Sequence, residues 1–179
     1  DNSNSIYHNG MINLYALLHA GTCDDTFLND ATHKQWLTKN SHWARFLSTS
    51  CLGTIHKNNP KIGEVINKFF PGQTQSDDYT GGGALYALGL SRSLKEGQSR
   101  INYLLELLKN NQKEPIVHGA CLALGLIGMS TYNYEYVEAL KVFLYNESAI
   151  MGEAAAFSIG LIMAGRLDAE LISELLDAC

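Results

Sequence analysis

A chain of 179 residues and 19.7 kDa is enough for one domain of ordinary size and too short for two large ones. Thirteen basic against eighteen acidic side chains leave a net charge of −5, which argues against a nucleic-acid surface. With 46% hydrophobic and 17% charged residues, the composition excludes disorder.

The opening Asp1-Asn2-Ser3-Asn4 has neither Met nor the basic-then-apolar order of a signal peptide, and reads as the start of an excerpt from a longer chain. A helix is predicted over 11–20 and another near 27–37, with Asp24 or Asp25 as the second one's cap. Together they form a divergent helical lead-in over 1–44. From residue 45 the chain repeats itself. Gly53, Gly89, Gly125 and Gly160 recur at spacings of 36, 36 and 35. Six residues before them stand Leu47, Gly83, Gly119 and Ala154; twelve after them stand Val65, Ile101, Val137 and Ile172. Fifteen after them stand Lys68, Leu104, Leu140 and Leu175. Four repeats are predicted, over 45–80, 81–116, 117–151 and 152–179, the last ending inside its second helix. Residues 72–78 are the one polar linker between them.

Each repeat carries two helical patterns. The first has a small face at positions i, i+1 and i+4: Gly83, Ala84 and Ala87, then Gly119, Ala120 and Ala123, then Ala154, Ala155 and Ser158. Its other faces are large and apolar, the mark of a helix buried all round. The small face admits a neighbouring backbone, which offsets the roughly 1 kcal/mol that each helical glycine costs. The second helix is one-sided: Ile101, Leu104, Leu105 and Leu108 share a face, as do Ile172, Leu175, Leu176 and Cys179. Ser99 and Asp168 stand where their N-caps belong. Inner helices sandwiched behind outer ones define an all-α fold, an α-solenoid of helix hairpins. The longest nearly apolar stretch, 154–165, is a core helix too short to span a membrane.

The runs Gly82-Gly83-Ala84-Leu85-Tyr86-Ala87-Leu88-Gly89-Leu90 and Gly152-Glu153-Ala154-Ala155-Ala156-Phe157-Ser158-Ile159-Gly160-Leu161 resemble proteasome/cyclosome repeats. Asn40-Ser41-His42-Trp43-Ala44-Arg45-Phe46, with Leu52-Gly53-Thr54-Ile55-His56-Lys57 and the earlier His19-Ala20-Gly21-Thr22, is similar to the lead-in of one branch of that family. This branch comprises the larger non-ATPase repeat subunits in the base of the 26S proteasome regulatory particle (regulatory subunit 1 type). The resemblance implies a segment of a closed toroid, acting as a non-catalytic scaffold in ubiquitin-dependent degradation. It implies ATPase, lid and ubiquitin-receptor subunits as partners. The first copy departs from the pattern, with Leu47 at the small position and Thr54 after the glycine.

Enzymatic signatures fail at particular residues. Gly160 and Gly165 have P-loop spacing, but Arg166-Leu167 stands where Lys and Ser/Thr must grip phosphate and Mg²⁺. His19 with Cys23, and Cys51 with His56, are loose pairs without the two tight pairs of a zinc site. No cofactor and no metal is expected. Cys51 and Cys121 fall on inner helices, where buried thiols are poor nucleophiles and behave as small hydrophobes of a reducing compartment, cytoplasm or nucleus. His118, at an inner-helix start, is a candidate partner contact. Tyr132, Tyr134 and Tyr136 are candidates for an aromatic docking patch. No nucleic-acid or membrane partner is expected. Three alternatives stay open: a repeat subunit of the anaphase-promoting complex, a freestanding helical-repeat adaptor, and a Cys/His hydrolase. Without a polar cap, the fourth repeat is expected to bare Ile159, Ile162, Leu176 and Cys179 and to self-associate weakly.

Overall fold

The structure, a computed structural model, describes residues 2–29, 42–73, 76–92 and 97–177, without the side chains of 2–5. The described residues are helical with no strand. In chain order the helices are α1 (Asn2–Leu18), α2 (Thr26–Asn29), α3 (His42–Ile55), α4 (Ile62–Ile66) with a 3₁₀ turn at Asn67–Phe69, and α5 (Asp78–Leu90). They continue with α6 (Gly97–Asn110), α7 (Glu114–Ile127), α8 (Tyr134–Leu144), α9 (Ala149–Ile162) and α10 (Ala169–Asp177). Two compact units divide the chain, Asp1–Lys95 and Glu96–Cys179.

In the first unit α1 packs on α3 and α3 on α5. Helix α5 is buried over nearly its whole circumference, including Gly81, Gly82, Gly83, Ala84, Leu85, Ala87, Leu88 and Gly89. Helix α3 buries three hydroxyl residues in succession. Each returns its hydroxyl to its own helix: Ser48 to the Ala44 carbonyl at 2.7 Å, Thr49 to Arg45 at 2.9 Å, and Ser50 to Leu47 at 2.8 Å. Polar side chains satisfied in this way leave the helix surface free to pack as an apolar one would. Helix α1 begins well before the predicted 11–20, and α2 is a single turn after Asp24, whose carboxylate accepts from the Thr26 N–H at 3.2 Å. Most of the second predicted lead-in helix, from residue 30 on, lies outside the described residues.

Helix α4 differs from its predicted register. Ile62 and Ile66 are buried, while Val65 is half-buried and Lys68 exposed. A five-residue helix presents only its i and i+4 positions to the core, and the turn after Pro60 sets which pair that is.

In the second unit α6 packs on α7, α7 on α9, and α8 on α9. Helix α6 buries Ile101, Leu104 and Leu108, as its period predicts, but starts at Gly97, so Ser99 lies inside it. Helix α8 is capped by Asn133, whose side chain accepts from the Glu135 N–H at 2.8 Å. Helix α10 is capped by Asp168, which accepts from the Leu171 N–H at 3.1 Å. Its buried residue is Leu171, whereas Ile172 and Leu176 are exposed and Leu175 is half-buried. Helix α10 meets the unit through Leu171 and through Glu174, which pairs with Lys141 of α8 at 2.6 Å, so Ile172 and Leu176 of the predicted stripe turn outward.

Candidate interaction surfaces

The inner helices are joined by a recurring backbone device. Cys23, Asn58 and Tyr132 have φ of 61°, 63° and 56°, a left-handed conformation uncommon outside glycine. Each donates its N–H to a carbonyl at the C-terminal end of the next inner helix: Cys23 to Ile55 at 3.1 Å, Asn58 to Ser91 at 2.6 Å, and Tyr132 to Ile162 at 3.2 Å. Those carbonyls stand two residues after Gly53, Gly89 and Gly160. Beside them Gly21 donates to Thr54 at 3.1 Å and Ser130 to Leu161 at 3.0 Å. The last carbonyls of a helix lack intrahelical partners. The loop after one inner helix supplies them for the next. Helix α1 is thereby joined to α3 as α7 is to α9, although α1 has no match to the glycine pattern.

Side chains follow the same ladder. Asp77 caps α5 through the Thr80 N–H at 2.7 Å and binds Arg45 of α3. Ser148 caps α9 and donates to Glu114 of α7 at 2.5 Å. His118 of α7 donates from Nδ1 to the Ile150 carbonyl of α9 at 3.1 Å. This half-buried histidine thus binds the neighbouring inner helix.

The glycines named from the repeat do not share one environment. A Cβ at Gly53 would collide with the Ala87 backbone, and one at Gly83 with the Phe46 backbone, so α3 and α5 meet main chain to main chain. A Cβ at Gly125 would lie 2.7 Å from the Cα of Ser158 in α9. Gly89, Gly119 and Ala154 are buried within α5, α7 and α9. Gly160 is exposed, and a Cβ there would meet nothing within 4 Å.

The three tyrosines are split. Tyr136 is buried in the unit, while Tyr132 and Tyr134 are exposed, so they form no single patch. Two residues along a helix are a rotation of about 200°, which carries the later ring to the core side. Tyr134 donates its hydroxyl to Asp168, and the Arg166 guanidinium lies 5.4 Å from its ring centre. That hydrogen bond holds the Asp168 carboxyl below its usual range and pushes the Tyr134 phenol up.

Exposed apolar surface lies elsewhere. On α1, Tyr7, Met11, Leu14 and Leu18 form a stripe at helical spacing, with Tyr7 74% exposed. On α9, Phe157 is 58% exposed beside Gly160 and half-buried Leu161. Ile159 and Ile162, expected on a bare flank, are fully buried against the unit, while Leu176 is exposed; Cys179 lies outside the described residues. The α1 stripe is visible in the sequence as a 4-3-4 spacing, but its Asn- and Gly-rich intervals mask it.

Burial pushes the Cys51 and Cys121 thiols up to about 12, which leaves almost no thiolate at neutral pH. Among the described residues no group of three metal-ligating side chains converges, and no helix is long and apolar enough to cross a membrane. A partly enclosed polar cluster joins His56, Asp25 and Asn59. His56 Nε2 lies 3.0 Å from the Asp25 carboxylate, and its Nδ1 lies 3.1 Å from the Asn59 amide nitrogen.

Helical hairpins whose inner helices touch through glycine and are linked by recurring backbone bonds define a helical-repeat protein. No family model matches the chain. It is 39% identical over 173 residues to the 26S proteasome non-ATPase regulatory subunit 1 of Drosophila melanogaster, covering 96% of this chain and 17% of that protein. It is 38% identical over 177 residues to homolog A of the same subunit in Arabidopsis thaliana (97% and 17%). It is 37% identical over 183 residues to the 26S proteasome regulatory subunit RPN2 of Saccharomyces cerevisiae (98% and 19%). The chain is a homologue of these proteasome regulatory subunits over nearly all of its own length, and spans less than a fifth of theirs.

Proposed function

We propose that the chain is a non-catalytic scaffold segment of the 26S proteasome regulatory particle. It holds ATPase, lid and ubiquitin-receptor subunits in place for ubiquitin-dependent degradation, in cytoplasm and nucleus. Its four repeats, 45–80, 81–116, 117–151 and 152–179, form part of a toroid behind the lead-in over 1–44. The observation that carries this reading is the close approach of successive inner helices at Gly53, Gly83 and Gly125, combined with relatives named as non-ATPase regulatory subunits. Within each unit such contacts fix one inner helix rigidly against another. Rigidity is what a scaffold requires. The exposed faces of α1 and α9 are where adjoining helices of the particle stack, and exposed Tyr132 remains available to a partner.

The test is purification of the tagged protein from its own cells, followed by quantitative mass spectrometry. ATPase and lid subunits are expected in equal amounts with it. Recovery with anaphase-promoting complex subunits, or alone, would overturn the reading. A hydrolase is disfavoured by the two deeply buried thiols.

A further inference from the structure

His56 ends the first repeat's inner helix, and its side chain is 6% exposed. The imidazole bridges two segments: Asp25, in the loop before α2, and Asn59, in the turn before α4. The orientation of Asn59 is fixed from its other side. The Lys61 N–H lies 2.9 Å from the Asn59 side-chain oxygen, and an N–H requires an acceptor there. The Asn59 amide nitrogen, which only donates, therefore faces His56 Nδ1. Nδ1 must accept, so the ring is neutral with its proton on Nε2, donated to Asp25. Asn59 also accepts at its carbonyl from the Ile62 N–H at 3.2 Å, which makes this turn the start of α4. The residue before it, Asn58, is the one whose N–H joins α3 to Ser91 at the end of α5.

We propose that His56 is a proton-operated latch on the stacking of the first two inner helices. A second proton, taken from solvent onto Nδ1, turns an acceptor into a donor facing a donor. The tie to Asp25 survives, because Nε2 keeps its proton and the carboxylate still accepts it. The tie to Asn59 does not. Asn59 can present its oxygen to the ring only by abandoning the Lys61 N–H, so protonation loosens the 57–61 turn and, through Asn58, the bond to Ser91. Asp25 is the charged group in direct contact with the ring among the described residues. Around it, Asp24 pairs with His19 at 3.6 Å, Lys57 and Lys61 lie along the turn, and Arg92 follows α5. Among the described residues the second unit has no counterpart, since its equivalent bond from Tyr132 runs without a histidine beside it.

The experiment combines long-range proton–nitrogen spectra of the imidazoles with amide exchange on the folded chain between about pH 7.5 and 5, the range over which histidines change charge. At the upper end Nδ1 of His56 should be bare and Nε2 protonated. On acidification the protection factors of Lys61 and Asn58 should fall about five- to tenfold, the equivalent of one lost hydrogen bond, while that of Tyr132 holds. Asn59→Asp places an acceptor toward both Lys61 and Nδ1, and should abolish the fall. Nδ1 protonated at neutral pH, unchanged protection in the wild type, or an equal fall in Asn59→Asp would each overturn the proposal. The tautomer readout needs no variant, so a failure of Asn59→Asp to fold leaves the test intact.

Discussion

Gly125 and Ser158 bring α7 and α9 into main-chain contact: a Cβ on Gly125 would stand 2.7 Å from the serine's Cα and Cβ. The glycine one repeat on, Gly160, faces open space. Aligned positions therefore carry opposite consequences. Gly125→Ala and Gly53→Ala should destabilise by about 1–3 kcal/mol, because backbone atoms and not flexible side-chain ends must move. Gly160→Ala should stabilise by roughly 0.5–1 kcal/mol, the ordinary gain of removing glycine from a helix. Urea titrations of the three variants decide it, and equal signs at 125 and 160 would contradict the packing.

The thiols give a second prediction. Cys51 and Cys121 are buried, with their thiols pushed up to about 12, while Cys23 is exposed. In a Cys179→Ser background, a disulfide-exchange reagent at neutral pH should modify Cys23 quickly. The other two should react only as the protein unfolds. Rapid native labelling at Cys51 would revive the hydrolase reading.

His118 ties the start of α7 to α9 through the Ile150 carbonyl. His118→Ala should cost the second unit about 1 kcal/mol, the net worth of one hydrogen bond, seen as a lower urea midpoint at unchanged slope. If His118 instead serves only a partner, the midpoint stays where it was.

The Tyr134–Asp168 bond joins the start of α8 to the cap of α10 and has two pH limits. The Asp168 carboxyl sits low, chiefly through the Tyr134 hydroxyl, so its contribution is present above the ordinary carboxylate range and is lost as pH falls through the lowered value. The Tyr134 phenol sits high, chiefly through Asp168, so its contribution is present below the ordinary phenol range and is lost as pH rises through the raised value. The stability difference between wild type and Tyr134→Phe should therefore be largest near neutrality and vanish at both extremes. A difference that does not vary with pH would show that the ring's packing, and not its hydroxyl, matters.

The helical class, the buried inner helices and the α6 stripe are legible in the sequence because each rests on local periodicity. The chain's homology to the proteasome subunits was legible in the repeat runs and the lead-in around Trp43. What periodicity could not reveal is set by neighbours. The register of α4 depends on the turn after Pro60, and the burial of Tyr136 apart from Tyr134 depends on where α8 meets its unit. The positive φ of Cys23, Asn58 and Tyr132 leaves no common residue type to read. The His56–Asp25–Asn59 cluster joins residues 31 and 3 positions apart, and nothing in their order announces a contact.

If this segment is a scaffold of the regulatory particle, as proposed, main-chain contact between its inner helices is what keeps it there. The most direct test is quantitative incorporation of a tagged Gly125→Leu protein into that particle in cells, beside the exposed control Lys109→Leu. Lys109→Leu should be recovered with ATPase and lid subunits at the wild-type level, whereas Gly125→Leu should be depleted from the particle. Recovery of Gly125→Leu at the wild-type level would contradict the proposal.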